Sequence, residues 1–290
     1  MIIIGFSKSD KLAKSVAKKL KIKYSCLKIK KFPDKETYLK FTTDVKNKTV
    51  ILFRTLNNPD EKIIELLFAA YTAKDLGAKK VILVVPYLSY MRQDKRFHFG
   101  ECISNKVIAE LFKIFDNIIT VDPHLHRIKN LRILFKNSAV INANSIISDY
   151  IKNKIKDAVI MGPDAESYQW AGEIARNIGY NAVVLNKKRY NSEKVRIILH
   201  DPKIIKDKNI VIIDDIISTG HTMIETVKQA KKYGAKSIAC ICIHGIYAEN
   251  ALAKLKKLKA NVVSTDTIMS ETSKITVADL ISKELKKLNQ

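Results

Sequence analysis

An apolar run, two carboxylates and a turn of small residues follow one another between residues 210 and 222. The run 210–213 leads directly into Asp214 and Asp215, and a helical pattern begins near residue 221. Such a turn gathers backbone N–H groups, hydroxyls and the positive end of a helix dipole around one point, as a bound phosphate requires. The residues that would form this phosphate site are Ser218, Thr219, Gly220, His221 and Thr222.

The two carboxylates cannot bind the same phosphate, because they would repel it. Asp214 and Asp215 must face groups that donate hydrogen bonds or carry positive charge, and sugar hydroxyls and Mg²⁺ both qualify. The structural alternative is a helix cap, but a cap uses one acid and does not require two at the end of an apolar strand. The segment therefore predicts a phosphate site with an acidic pair beside it.

Residues 210–222 resemble the phosphoribosyl-pyrophosphate binding motif, in which an apolar strand is followed by two aspartates, two apolar residues and Ser/Thr-Thr-Gly-x-Thr. Two families carry this motif. Phosphoribosyltransferases consume phosphoribosyl pyrophosphate, whereas ribose-phosphate pyrophosphokinases make it. The motif alone does not choose between them.

Two blocks in the first half resemble the ribose-phosphate pyrophosphokinases and have no place in a simple transferase. Residues 31–38 are similar to the family's Phe-x-Asp-x-Glu loop, in which the ring stacks on adenine and the acids accept from its amino group. Residues 86–96 follow an all-apolar strand and are similar to the loop whose Arg-Gln pair contacts ATP. A surface turn and a solvated charged loop are the plainer alternatives. By this resemblance the ATP contacts are Phe32, Asp34, Glu36, Arg92, Gln93 and Asp94.

Two further blocks resemble the same family around its metal. Residues 120–126 are similar to its Asp-x-His motif, which makes His124 a contact of the nucleotide and the metal. Asp122 would orient it or bind Mg²⁺ through water. The His-x-His spacing of His124 and His126 also suits zinc, but no third ligand cluster is evident. Residues 160–167 are similar to the family's pyrophosphate loop, which adds Asp164 to the metal ligands.

Residues 185–190 resemble the family's catalytic loop, in which a Lys and the Arg two residues later hold the transferring group. The resemblance assigns these roles to Lys187 and Arg189. The chain departs from many members in lacking a Gly-Gly pair within 162–167, and in having Ser218 where many have Asp in a loop one residue longer. In both features the chain resembles archaeal-type members of the family. The departures also put allosteric control of the enzyme by phosphate and ADP in question.

The elements that must position these residues alternate along the chain. Strand-like runs are found at 2–5, 49–54, 81–85, 117–121, 158–161, 181–185, 210–213, 237–243 and 261–265. Helical patterns are found at 9–20, 60–76, 103–115, 165–178, 221–233 and 248–258. The alternation predicts an α/β fold with mainly parallel sheets. The resemblance specifies two similar doubly wound domains of the type I phosphoribosyltransferase kind.

The length of 290 residues suits two domains. We expect an ATP-binding domain at 1–145 and a ribose 5-phosphate-binding domain at 146–269, with a C-terminal helix at 270–290 packed back on the first domain. An internal echo links 73–81 with 230–238, because each is a helix end, a glycine and the start of a strand. One such match can also arise from common loop chemistry.

The net charge of +23 raises the question of nucleic-acid binding. The lysines are scattered over outer faces of amphipathic helices without an aromatic-interleaved stripe, so we expect a basic surface that attracts anionic substrates and no nucleic-acid partner. No apolar stretch approaches the roughly 18 residues of a membrane span, and residues 1–5 resemble a buried strand more than a signal peptide. We expect no membrane association and a cytoplasmic protein with reduced cysteines.

The resemblance implies a Mg²⁺-dependent enzyme that moves the pyrophosphoryl group of ATP to the C1 hydroxyl of ribose 5-phosphate. The products would be 5-phosphoribosyl 1-pyrophosphate and AMP, for nucleotide, histidine and tryptophan biosynthesis. Because the family's loop at 32–36 often reaches a neighbouring subunit, we expect a homodimer or a multiple of dimers. A phosphoribosyltransferase and a non-catalytic regulatory paralogue stay open as alternatives, although such paralogues typically lose catalytic-loop residues.

Overall fold

The computed structural model describes residues 1–7, 10–125, 127–184, 186–189, 195–198 and 202–288. The chain divides into two compact units. One consists of Met1–Asn142 together with Val277–Gln290, and the other is Ala143–Thr276. Each unit is built on its own six-stranded sheet.

The first unit is an α/β layer with a parallel sheet. Its elements are β1 (Ile2–Gly5), α1 (Lys11–Leu20), β2 (Lys23–Cys26), β3 (Lys28–Lys31), β4 (Thr37–Lys40), β5 (Thr49–Phe53), α2 (Pro59–Asp75), β6 (Lys80–Val85), α3 (Ser104–Leu111), β7 (Asn117–Val121) and β8 (Ser138–Ile141). The sheet order is β2-β1-β5-β6-β7-β8, with every pair parallel. The remaining strands, β3 and β4, form a separate antiparallel hairpin. The central strands β5 and β6 are buried along nearly their whole length, as strands covered on both faces must be.

The second unit repeats this design. Its elements are α4 (Asn144–Lys154), β9 (Ala158–Gly162), α5 (Ala165–Ile178), β10 (Asn181–Val184), β11 (Asn186–Arg189), β12 (Val195–Ile198), β13 (Asn209–Ile217), α6 (His221–Lys232), β14 (Ser237–Gly245), α7 (Ala251–Lys257), β15 (Asn261–Thr265) and β16 (Ser273–Ile275). The sheet order is β10-β9-β13-β14-β15-β16, again parallel, and β11 and β12 form an antiparallel hairpin. The predicted class, α/β with two similar and mainly parallel domains, is confirmed.

The internal echo seen in the sequence is a repeated turn in the structure. Gly77 and Gly234 both have a φ of +79° after a helix, where the left-handed conformation favours glycine. The carbonyl of Gly77 accepts from Asn47 N at 2.8 Å, and that of Gly234 accepts from Asp207 N at 2.9 Å. Identical strand order and identical turn bonding together favour duplication of one ancestral half.

Some elements differ from those predicted. Strands β2, β8 and β16 were not predicted, because these three edge strands are short and mixed in polarity and so lack the continuous apolar run that marked the central strands. The edge strand β10 was predicted, at 181–185, and the hairpin strands β3, β4, β11 and β12 were not. The helix expected at 270–290 is shorter, since β16 lies within that range and α8 spans Ala278–Lys287. This helix lies in the first unit, where Asp279 pairs with Lys19 of α1 at 2.6 Å. The expected boundary at 145 would fall inside α4, which begins at Asn144.

Candidate functional site

The phosphate-loop segment connects β13 to α6 in the second unit. Strand β13 runs on to Ile217, so Asp214 and Asp215 lie within the strand and not after its end as predicted, because β14 continues to pair with it as far as Gly245. Gly220 precedes α6 with a φ of +74°. An added Cβ there would lie 2.9 Å from the Cβ of Ala251, so the loop packs directly on the start of α7. The turn needs glycine for both reasons.

Several hydrogen bonds hold this loop in place. The carbonyl of Ile217 accepts from the backbone N–H groups of Ile246 and Tyr247, each at 3.0 Å. Within the loop, Thr219 Oγ1 lies 3.1 Å from His221 Nδ1. Ser218, Thr219 and Thr222 are partly exposed and His221 is exposed, so their hydroxyls and ring lie within reach of a ligand. The first turn of α6 adds its N–H groups, which completes an anion-binding arrangement.

The acidic pair is held by backbone donors. Asp214 Oδ1 accepts from Asp215 N at 3.0 Å, and Asp215 Oδ1 accepts from Ile216 N at 2.7 Å. Burial, together with the nearby Asp215 and Asp164 carboxylates, raises the pKa of Asp214 to about 8. A carboxyl so placed is poised to accept from a neutral donor or to be neutralised by a cation.

The segment after β9 lies against this pair. Asp164 is the N-cap of α5 and accepts from Ser167 N at 3.0 Å. The hydroxyl of Ser167 lies 2.8 Å from Asp164 Oδ1 and 2.9 Å from Asp214 Oδ1. The structure therefore brings the predicted metal ligand and the predicted sugar ligand to one serine. Ser167 was missed as a site residue, although its place three residues after the capping Asp is a recognisable signal.

The predicted catalytic residues Lys187 and Arg189 lie in β11. Lys187 is opposite Ile197 of β12, and Arg189 is opposite Val195. Their side chains lie outside what the structure describes, as do residues 185 and 190.

In the first unit, the predicted adenine loop is the tip of the β3–β4 hairpin. Phe32 is 50% exposed and its ring meets that of Tyr38 edge-on, with centroids 6.0 Å apart. Asp34 Oδ1 accepts from Glu36 N at 3.1 Å, and both acids are exposed. Glu61, at the start of α2, forms an ion pair with Lys31 of β3. The hairpin thus presents an aromatic ring and two acids on a braced tip.

The predicted ATP loop at 86–96 follows β6. Arg92 is exposed, whereas Gln93 is held by Ser104, whose hydroxyl donates to Gln93 Oε1 at 3.0 Å. The Asp94 side chain is almost fully buried in an ion pair with Arg127, 2.7 Å from its Nη1. Asp94 therefore has a protein partner, and Arg127 is a residue that sequence reasoning missed.

The Asp-x-His segment follows the adjacent strand, β7. Asp122 is 6% exposed, its φ is +33°, and its N–H donates to the carbonyl of Ile141 at 2.9 Å. His124 is partly exposed. The pairing of Asp94 with Arg127 links this segment to the loop at 86–96, so two of the predicted nucleotide segments meet at the carboxyl edge of the sheet. His126 lies outside the described residues.

In the first sheet, the position equivalent to Asp214 is occupied by an arginine, Arg54. In the first sheet, Phe53 of β5 pairs with Gly5, the last residue of β1. In the second sheet, the pairing of β13 with β9, continued by one residue, places Ile213 beside Gly162, the last residue of β9. The next residue is Arg54 in the first unit and Asp214 in the second. The Arg54 guanidinium lies 4.7 Å from the ring centroid of Phe6 and forms an ion pair with the buried Glu65 of α2. The two halves thus carry opposite charges at equivalent positions.

The fold and the site define a class of α/β proteins that bind phosphoribosyl compounds. Residues 132–280 match the phosphoribosyl transferase domain, and residues 1–115 match the N-terminal domain of ribose phosphate pyrophosphokinase. The solved phosphoribosylpyrophosphate synthetase of Mycobacterium smegmatis has the same fold, with a TM-score of 0.87 at 23% identity over 99% of this chain and 98% of its own.

Curated relatives extend this similarity along the chain. The ribose-phosphate pyrophosphokinase of Methanobrevibacter smithii is 36% identical over 98% of this chain and 100% of its own length. That of Methanothermobacter thermautotrophicus is 35% identical, also over 98% of this chain and 100% of its own length. The chain belongs to the ribose-phosphate pyrophosphokinase family. The resemblance drawn from its motifs is confirmed.

Two observations bear on the other expectations. Among the described helices, none has the length and apolar character needed to cross a bilayer. In the part of the chain that the structure describes, no three His, Cys, Asp or Glu side chains are arranged as a complete metal site.

Proposed function

We propose that this enzyme transfers the pyrophosphoryl group of ATP to the C1 hydroxyl of ribose 5-phosphate, giving 5-phosphoribosyl 1-pyrophosphate and AMP. The observation that carries the proposal is the braced acidic pair beside a phosphate loop, in a chain that has both family domains along its full length. The C1 oxygen forms a bond to the β-phosphorus, and the bond from that phosphorus to the oxygen bridging to the α-phosphorus breaks. AMP leaves with the bridging oxygen, and the hydroxyl proton passes to water.

The second unit binds the sugar. Asp214 and Asp215 accept from the ribose 2- and 3-hydroxyls, which leaves the 5-phosphate in the turn at 218–222. There the N-terminal N–H groups of α6 and the hydroxyls of Ser218, Thr219 and Thr222 donate to its oxygens. Two anchors at opposite ends of a small sugar fix the direction of its C1 hydroxyl, and positioning of this kind supplies much of the rate in phosphoryl transfer.

The first unit binds the nucleotide. Arg92 donates to phosphate as a bidentate fork, while Phe32 stacks on the adenine bound by a neighbouring subunit and Asp34 and Glu36 accept from that adenine's amino group. Gln93 and His124 complete the set, with Gln93 held in position by Ser104, while the buried Asp94 orients Arg127 beside them. Lys187 and Arg189 stabilise the negative charge that develops on the β-phosphate and on the leaving oxygen.

Mg²⁺ is the metal that fits the donor set. Asp164, Asp214 and Asp215 bring carboxylate oxygens close together, and oxygen is the ligand type that Mg²⁺ prefers. Burial, with the neighbouring carboxylates, raises the pKa of Asp214, so a nearby cation would favour its charged form. Asp164 would hold the ion in the second unit, and Asp122 and His124 are the candidates in the first. When bound, Mg²⁺ neutralises charge on the phosphates. Water and phosphate oxygens would supply the remaining ligands.

Self-association as a homodimer or a multiple of dimers is part of the proposal, because the exposed Phe32 ring stands at the tip of a hairpin, where a neighbouring subunit's nucleotide could reach it. A cytoplasmic location, as expected for an enzyme of nucleotide synthesis, belongs to the same proposal. A regulatory role without catalysis is disfavoured, because Lys187 and Arg189 are both present.

The test is formation of AMP from ATP and ribose 5-phosphate with Mg²⁺ and without a nucleobase. We expect stoichiometric AMP and phosphoribosyl pyrophosphate, and loss of both products in Asp214→Asn. The surface variant Asp157→Asn, in the same unit, should keep full activity, because Asp157 only pairs with Lys208 on the surface. Products that appear only when a nucleobase and phosphoribosyl pyrophosphate are supplied would identify a phosphoribosyltransferase instead.

A further inference from the structure

Ser167 occupies an unusual place between two acids. It is 4% exposed and is the third residue of α5. Its hydroxyl lies 2.8 Å from Asp164 Oδ1 and 2.9 Å from Asp214 Oδ1, although these two acids belong to different elements, 50 residues apart. The side chain therefore bridges the start of α5 and strand β13.

This bridge determines which oxygen of Asp214 is available to a substrate. Oδ1 is held by the Ser167 hydroxyl at 2.9 Å and by Asp215 N at 3.0 Å. No described residue donates a hydrogen bond to Oδ2. With one oxygen pinned by two donors, the carboxyl plane cannot rotate freely, and Oδ2 is the oxygen presented to a sugar hydroxyl.

Capping of α5 does not require the hydroxyl. Asp164 already accepts from the backbone N–H of Ser167 at 3.0 Å, and the equivalent cap in the first unit, Asp10, accepts from Ala13 N at the same distance. Ala13 has no hydroxyl, and in that unit Arg54 stands where the second unit has Asp214. The hydroxyl at this helix position is thus present in the half of the chain that has the acidic pair and absent from the half that lacks the pair.

We propose that Ser167 is a positioning residue of the ribose site, whose hydroxyl orients the Asp214 carboxyl toward the sugar. The inference rests on the proposed function. A hydroxyl has one hydrogen, and when Ser167 donates it to Asp214, Asp164 still accepts from the Ser167 backbone N–H.

The test separates ribose 5-phosphate from ATP. Ser167→Ala removes the donor, Ser167→Thr restores a hydroxyl, and Ser148→Ala removes a hydroxyl of equal burial from α4 in the same unit. The Kd for ribose 5-phosphate is measured by calorimetry, and KM and kcat are measured for each substrate. Because a hydrogen bond to the Asp214 carboxyl is lost, we expect Ser167→Ala to raise the Kd and KM for ribose 5-phosphate about 10-fold.

The other measurements distinguish a role at the ribose site from a general structural effect. The KM for ATP should stay within about twofold, and Ser167→Thr should return the ribose 5-phosphate values toward wild type, since a lost hydrogen bond affects only the site it serves. In an Asp214→Asn background, Ser167→Ala should add almost nothing, because both changes act on one contact. Ser148→Ala should leave all values unchanged.

Three results would overturn the inference: a wild-type Kd for ribose 5-phosphate in Ser167→Ala, equal losses for both substrates, or additivity with Asp214→Asn. If Ser167→Ala does not fold, Ser167→Cys takes its place, because a thiol keeps the volume but donates weakly. A wild-type Kd in Ser167→Cys would then count against the role. Failure of the wild-type protein to form AMP would instead refute the proposed function, and the calorimetric comparison would still be read on its own.

Discussion

Replacement of Gly220 by alanine should damage the phosphate loop through two separable effects. The φ of +74° is a left-handed conformation that costs an L-residue about 1–2 kcal/mol. The new Cβ would also lie 2.9 Å from the Cβ of Ala251, and overpacking of this kind costs about 1–3 kcal/mol. We therefore expect Gly220→Ala to lower the free energy of unfolding by roughly 2–5 kcal/mol.

The chain supplies a matched control for the first effect. Gly179, which follows α5 in the same unit, has a φ of +72° and no described atom within 4 Å of an added Cβ. Gly179→Ala should therefore show the destabilisation due to the left-handed backbone without any steric overlap. Both substitutions restrict the unfolded chain to the same extent, so that effect cancels in the comparison. The difference between the two variants isolates the overlap.

The assay is urea denaturation followed by tryptophan fluorescence. Trp170, the single tryptophan of the chain, lies in α5, so the signal reports on the second unit. Gly220→Ala should lose about 1–3 kcal/mol more than Gly179→Ala, and adding Ala251→Gly should recover that difference by opening the space. Gly220→Ala should also raise the KM for ribose 5-phosphate, because the loop that holds the 5-phosphate shifts. Equal losses in Gly220→Ala and Gly179→Ala, with no recovery from Ala251→Gly, would refute this explanation of the turn.

Three further predictions follow from the charged groups. Lys187→Ala should lower kcat on the order of 10²-fold with little change in KM, since its charge acts on the transition state, while Lys188→Ala provides the comparison; a near-normal kcat in Lys187→Ala would contradict the role. Arg54→Ala should cost about 3–5 kcal/mol in urea denaturation followed by circular dichroism, because Glu65 is left as an unpaired buried charge. Because the pKa of Asp214 is raised, the native state keeps a proton on this carboxyl at pH values where the unfolded state, with the ordinary pKa of 3.8, has released it. As the pH rises from about 4 to about 8, this group therefore lowers the free energy of unfolding. Asp214→Asn should therefore be more stable than wild type at pH 8.5 by tryptophan fluorescence, the difference shrinking toward pH 4, and a difference independent of pH would contradict the buried, protonated carboxyl.

The central strands were predictable because burial on both faces leaves a direct record in the chain. The runs 49–54, 81–85, 210–213 and 237–243 are apolar at nearly every position, and each is a strand in the middle of a sheet. The edge strands β2, β8 and β16 carry no such record, since their residues are mixed in polarity, whereas the edge strand β10 has enough apolar residues to be recognised. Strand β13 was placed correctly at its start but extends to Ile217, because pairing with β14 can continue through two acids that no apolar pattern would include.

The site residues were found from spacing, whereas their partners were not. Asp94 was expected to face ATP directly, yet its carboxylate lies against Arg127, 33 residues further along the chain. Ser167 and Arg54 were not singled out, because a serine in a helix and an arginine after a strand are ordinary in isolation. Their roles depend on which strand ends lie beside which, and that is a property of the sheet order.

What the sequence determined by itself is the kind of chemistry, because the types and order of residues in the loop at 210–222 and in the loops before it are local features of the chain. It also determined the α/β class, since burial on two faces is visible as continuous apolar runs. Only the tertiary structure decided that the two halves share one topology with opposite charges at the equivalent positions of Arg54 and Asp214. Only the tertiary structure joined Asp164 to Asp214 through one hydroxyl, because contacts between distant segments arise from packing and leave no pattern in the order of the residues.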